Sequence, residues 1–148
     1  MSTNREMRVI IPSEEKKDLI NSIFCHFFPE GFNREIEISM YFFQGDTTNS
    51  FFSLLSTDKI KIFFNDSIPL NILIRVGCHQ MQHIRQYNQG RLRFINSGFL
   101  EFDGKEYDIT NSRYVEMPWE IEARAMEDEL VDNYLKEINI LIWPKRIA

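Results

Sequence analysis

In the stretch "GCHQMQHIRQY" (77 to 87) two histidines, His79 and His83, stand four residues apart. On a helix that spacing puts both imidazoles on one face, one turn apart, where their ring nitrogens can aim at a shared centre. The chain has three histidines in all, and two of them are committed to this pair. Neutral imidazole is a good donor to a divalent ion of the zinc type, so the pair reads as two thirds of a metal site. Directly after the first histidine stands Gln80, an amide that shares hydrogen bonds but does not take up a proton at neutral pH.

A hydrolytic zinc site is usually built from three protein groups, so a third ligand must come from another element packed on the same face. The segment "MPWEIEARAMEDELV" offers Glu120 and Glu122. Two residues along a helix correspond to a rotation of about 200°, so only one of these carboxylates can face the ion. Glu116 and Glu127 lie about one and two turns from Glu120, positions suited either to orienting a histidine N–H or to solvent. Gln82 and Gln86 read as polar helix positions, with Gln86 in reach of the groups behind the ligands. His26, in "FCHFF", has no partner at ligand spacing and is assigned to packing.

The elements that must hold these groups follow from periodicity. Residues 13 to about 28 form a first helix, with Ser13 as N-cap and Glu14 and Glu15 in the first turn. "REIEISMYFF" (34 to 43) is a strand, "GDTTNS" (45 to 50) a turn, and "FFSLL" (51 to 55) a further apolar run. "KIKIFFN" (59 to 65) alternates Lys and Ile, as an edge or near-edge strand does. From Ser67, read as a cap, a helix with Pro69 in its first turn runs to a stop at Gly90. Leu70, Leu73, Ile74, Gly77, Met81 and Ile84 make its buried stripe. Asp103-Gly104 between alternating apolar residues predicts a hairpin in "FLEFDGKEYDI". A last helix runs from about 117 or 118 to 140. Strands and helices that succeed one another in this way imply an α+β protein.

Composition narrows the function classes. With 148 residues, 43% of them hydrophobic and thirteen of them Phe, the chain suits one packed domain spanning 1–148. A net charge of −5 gives no electrostatic reason to expect a nucleic acid partner, and Arg85, Arg91 and Arg93 are assigned to a solvated face. No apolar run reaches the roughly 18 residues of a membrane span, and the N-terminus carries no secretory pattern, so a cytoplasmic protein is expected. Cys25 and Cys78 are too few for a disulfide framework and are expected as buried free thiols. The exposed pair Phe51-Phe52 leaves room for a dimer.

The segments "CHQMQHIRQYNQGRL", "GFLEFDGKEYD" and "YVEMPWEIEARAMEDELV", spanning about 71 to 134, together resemble the short zincin-like metallopeptidases of the minigluzincin kind carried by bacteriophages and bacteria. Those read H-E-M-x-H-x-x-Q, a Gly, a hairpin, a Tyr and then P-W-E-x-E-A. Glu120 with Ala123 resembles the gluzincin Glu-x-x-Ala pattern, in which the alanine lets two helices approach. The resemblance implies a zincin-like fold: a small mixed sheet packed against an N-terminal helix, the helix of the histidine pair and a C-terminal helix with the third ligand. It implies one Zn²⁺ on His79, His83 and Glu120, a peptide or protein as substrate or partner, and Gln80 in the general-base position. It also implies a peptide lying beside the strand at 59 to 65, and Tyr114 beside the reacting carbonyl, where packing is the competing role. Where the family has glutamate this chain has an amide, which implies little or no turnover. The amide is either a laboratory exchange, the mark of a natural pseudoenzyme that binds without cutting, or offset by another carboxylate such as Glu116.

Overall fold

The computed structural model describes residues 8–31, 36–45, 48–110 and 116–147, with side chains described through 138. The element order is β1 (Arg8–Ile10), α1 (Glu14–Phe27), β2 (Glu37–Gln44), β3 (Ser50–Leu54), β4 (Lys59–Asn65), α2 (Leu70–Asn88), β5 (Leu92–Asn96), β6 (Phe99–Phe102), β7 (Lys105–Asp108) and α3 (Pro118–Ile147). The chain is therefore α+β, with two sheets in place of the single one expected. A mixed four-stranded sheet has the order β1-β2-β4-β3, and a three-stranded antiparallel sheet the order β5-β6-β7.

The mixed order has a local cause. β2 and β4 run parallel, whereas β3 and β4 form an antiparallel pair with Phe52 opposite Ile62. The chain leaving β2 must therefore cross the end of β4 before it turns back as β3. Asn65, at that end, holds the crossing. Its buried amide nitrogen donates to the carbonyls of Gly45 and Thr48 at 2.9 Å each, and its oxygen accepts from the Ser67 N–H at 2.9 Å. β4 lies inside the sheet and β3 is at the edge, so the placing of 59 to 65 beside a peptide is corrected. Its Lys/Ile alternation reflects two sheet faces, with Ile60 and Ile62 in the core and Lys61 over Tyr41.

The helices follow their signals with one difference. Ser13 caps α1, accepting from the Lys16 N–H at 3.3 Å. α2 is capped at Pro69, not Ser67. Asn65 has already engaged the Ser67 N–H, and the Pro69 carbonyl accepts from Ile72 and Leu73 at 3.1 and 2.9 Å. α2 ends in a left-handed Gly90 (φ +79°), and the N–H of Arg91 returns to the Gln86 carbonyl at 3.0 Å. Asp103 (φ +52°) and Gly104 (φ +85°) make the tight β6–β7 turn.

α2 packs against α1 on one side and α3 on another. Gly77 makes the α1 contact possible, since a Cβ there would lie 2.8 Å from Ile23 Cδ1. The main core holds Ile20, Ile23, Ile62, Phe64, Leu73, Met81 and Tyr134, while a smaller one gathers Leu92, Leu100, Phe102, Met117 and Trp119 under the second sheet. Trp119 meets Phe102 and Tyr107 edge-on, which fixes the start of α3.

Two assignments to the surface and core need correction. Cys25 is exposed and Cys78 fully buried, because α1 turns Cys25 outward while α2 directs Cys78 into the core. His26 packs edge-on against Phe27 and Tyr134 as assigned, but it is only half-buried and its Nδ1 also meets Glu137. No helix among the described residues is long and apolar enough to cross a membrane.

Replacing Asn65 by Leu removes one partner from three backbone groups, and a loss of about 1–3 kcal/mol is expected from denaturant unfolding. Burial pushes the Cys78 thiol up to about 12. A native thiol titration near about pH 8 should therefore count Cys25 alone, with Cys78 appearing only after unfolding.

Candidate metal centre

α2 and α3 bring His79, His83 and Glu120 together, with one donor atom from each lying within 4.8 Å of the others. His79 Nε2 is 3.0 Å from Glu120 Oε1, His83 Nε2 is 2.8 Å from Glu120 Oε2, and the two Nε2 atoms are 3.2 Å apart. Each imidazole thus meets a different oxygen of the one carboxylate, and His79 and Glu120 line a cleft of about 770 Å³. His83 is fully enclosed, and the side chains of His79 and Glu120 are 14% and 11% exposed, so the group opens to the cleft on one side.

The opposite edge of each imidazole meets a hydrogen-bond acceptor. His79 Nδ1 lies 2.7 Å from Glu127 Oε2, a carboxylate that only accepts, so this nitrogen carries the proton. His83 Nδ1 lies 2.9 Å from Gln86 Oε1. The Gln86 orientation is set by its other end, where Nε2 donates to the Trp119 carbonyl at 3.1 Å and to Glu122 Oε1 at 2.7 Å. The oxygen must therefore face His83, whose Nδ1 donates to it. With their protons on Nδ1, the neutral histidines would present bare Nε2 lone pairs to each other and to a carboxylate. Four electron-rich atoms crowd one point, and only a positive charge can satisfy them.

The same field acts on protons. Burial alone would lower the His79 pKa, but the hydrogen bonds and negative charges of Glu120 and Glu127 more than reverse that and raise it. Burial would raise the Glu120 carboxyl, but the two imidazoles overcome it and hold the group at about 2. Glu120 is thus an anion at any ordinary pH. A cluster of this composition could hold a metal ion, with Nε2 ligation and a hydrogen-bond acceptor behind each imidazole.

The remaining sequence candidates separate clearly. Glu122 points away from the cluster, as the rotation along α3 requires. Burial would raise its carboxyl, but Arg91 and Gln86 hold it below the usual range. Arg91 donates to Glu122 at 2.6 Å and to both oxygens of Asp103 at 2.8 and 3.1 Å. The arginines assigned to one solvated face are therefore distributed: Arg91 is tied into this network, Arg85 lies over the Phe27 ring, and Arg93 is exposed. Gln82, read as a polar helix position, is buried and donates to Glu122. Glu116 lies outside the donor cluster, and Tyr114 lies outside the described residues.

Gln80 lines the same cleft and is 4% exposed. Its Nε2 donates to Ser50 Oγ at 2.8 Å, while its Oε1 is buried without a hydrogen-bond partner among the described residues. Ser50 was not singled out from sequence, nor was Arg75, which donates to Glu127 at 3.2 Å and steadies the carboxylate behind His79. Both are polar residues in ordinary strand and helix contexts, so no spacing rule marks them.

Glu127→Ala should leave the fold intact and weaken divalent metal binding about 10- to 100-fold in a chelator competition, because His79 loses the group that orients it. Compared with protein-family models, with curated proteins and with solved structures, the chain matches none of them.

Proposed function

We propose that this chain is a zinc-binding protein of the metallopeptidase class, of minigluzincin type, which as written holds a peptide at its metal with little or no turnover. The observation that carries the reading is the convergence of His79, His83 and Glu120 with both Nδ1 atoms already donating elsewhere. Tetrahedral donors at zinc bond lengths are separated by about 3.3 Å, and the two imidazole Nε2 atoms lie 3.2 Å apart. Two imidazoles and one carboxylate leave a further position free, as catalytic sites do and structural sites do not.

Zinc bound there would supply a Lewis acid for a peptide carbonyl and a lowered pKa for water. The chain's own contribution is positioning. The edge strand β3 passes the cleft, so an extended peptide can pair with it by main-chain hydrogen bonds. Gln80 occupies the general-base position with its free oxygen buried in the cleft wall. An amide at this position can accept a hydrogen bond, but it does not retain the proton that hydrolysis must move to the leaving amine. Losing a general base typically costs about 10²- to 10⁴-fold in rate.

A second reading, a non-catalytic peptide- or protein-binding module, is favoured by Gln80 itself, an amide where hydrolysis needs a group that takes up a proton. One variant separates the two. For the peptidase class, Gln80→Glu in zinc-loaded protein should raise peptide hydrolysis at least about 100-fold, with His79→Ala abolishing both metal and activity. Full zinc loading with no hydrolysis by the Gln80→Glu protein would favour the binding module. Elemental analysis without a bound divalent ion would remove both metal readings.

A further inference from the structure

A second cavity, of about 260 Å³, lies between β3 and the three-stranded sheet. Phe52, Leu54, Phe94, Leu100 and Ile109 form its apolar walls, exposed Ser97 stands at its rim, and no charged residue lines it. Phe52 also lines the metal cleft, so the two cavities follow one another along a single strand.

The hydrogen-bond parity of β3 decides what that strand offers. Leu55 N–H donates to the Lys59 carbonyl and Asn65 N–H to the Asn49 carbonyl. The odd-numbered residues of β3 therefore exchange bonds with β4, and the even ones, Ser50, Phe52 and Leu54, direct their N–H and C=O groups outward. The Ser50 carbonyl accepts from Thr48 Oγ1 at 3.2 Å; the outward groups of Phe52 and Leu54 have no partner among the described residues. The part of the edge that is unpaired is thus the part that borders the second cavity.

We propose that this cavity is a side-chain pocket for an extended peptide paired with the free edge at Phe52 and Leu54, selecting a large apolar residue such as Leu or Phe. The proposal rests on the reading that the metal cleft accepts a peptide, since the same strand would carry the chain from one cavity to the next. An extended segment is the occupant because the edge offers alternating donors and acceptors at strand spacing, which neither a small metabolite nor a helix can match. An apolar side chain is selected because a charged one would be desolvated there without a partner.

The test uses zinc-loaded protein and a set of short peptides blocked at both ends, identical but for Ala, Asp, Leu or Phe at one position moved along the peptide. Binding is read by calorimetry. In one register Leu and Phe should bind about tenfold or more tightly than Ala, and Asp more weakly still. Ser97→Trp, which fills the mouth from an exposed position, should erase that preference while leaving zinc content unchanged. Peptide binding with no preference in any register, or a preference untouched by Ser97→Trp, would overturn the pocket and leave the peptide cleft standing. Full zinc loading with no binding of any peptide would overturn both. A concentration-dependent dimer abolished by Ser97→Trp would assign the edge to a second copy of the chain and so overturn the proposal.

Discussion

Two imidazole nitrogens and a carboxylate are held face to face, and the groups behind them prevent the obvious escape. If either histidine could move its proton to Nε2, the cluster would settle into an ordinary hydrogen-bonded triad. Gln86 keeps the His83 proton on Nδ1, and Glu127 offers the His79 Nδ1–H an acceptor. Gln86 can do so only because Trp119 and Glu122 accept from its amide nitrogen. The demand for positive charge at the centre is therefore imposed by the packing of α2 on α3 and by residues outside the cluster itself.

That dependence reaches into the fold. Trp119 seats α3 against the second sheet, Arg91 joins Glu122 to Asp103 at the β6–β7 turn, and Ala123 is fully buried one turn beyond Glu120. On the other wall of the cleft, Asn65 stitches the crossing that delivers Ser50 to Gln80. Both sides of the cleft thus rest on buried polar side chains with several partners each. Such networks fix geometry well when fully satisfied and fail together when one member is lost.

Much of this was legible in the residues. The i, i+4 histidines could share a centre wherever α2 lay, and the rotation between Glu120 and Glu122 separated them before any packing was known. Ser13, Gly90 and Asp103-Gly104 marked their caps and turn because each meets a local stereochemical need. What was not legible depended on distant partners. The Lys/Ile alternation of β4 marked an edge or near-edge strand but not whether another strand lies beyond it, so the free edge was placed one strand too far in. Ser67 looked like a cap, but Pro69 is still extended and its carbonyl accepts the first helical bonds, and Cys25 sat among aromatics in sequence while facing water in space. β5, too short and mixed to announce itself, completes a second sheet through its partners.

His83 and Glu120 are neighbours in space but stand on either side of β5, β6 and β7 in the chain. An ion shared between them would close a covalent loop around the entire second sheet, much as a disulfide would, and would remove conformations from the unfolded chain that the open loop allows. The smaller core beneath that sheet has few residues with which to offset its own chain entropy. Loading with metal would then act as a removable cross-link, and a chelator as the reductant that opens it.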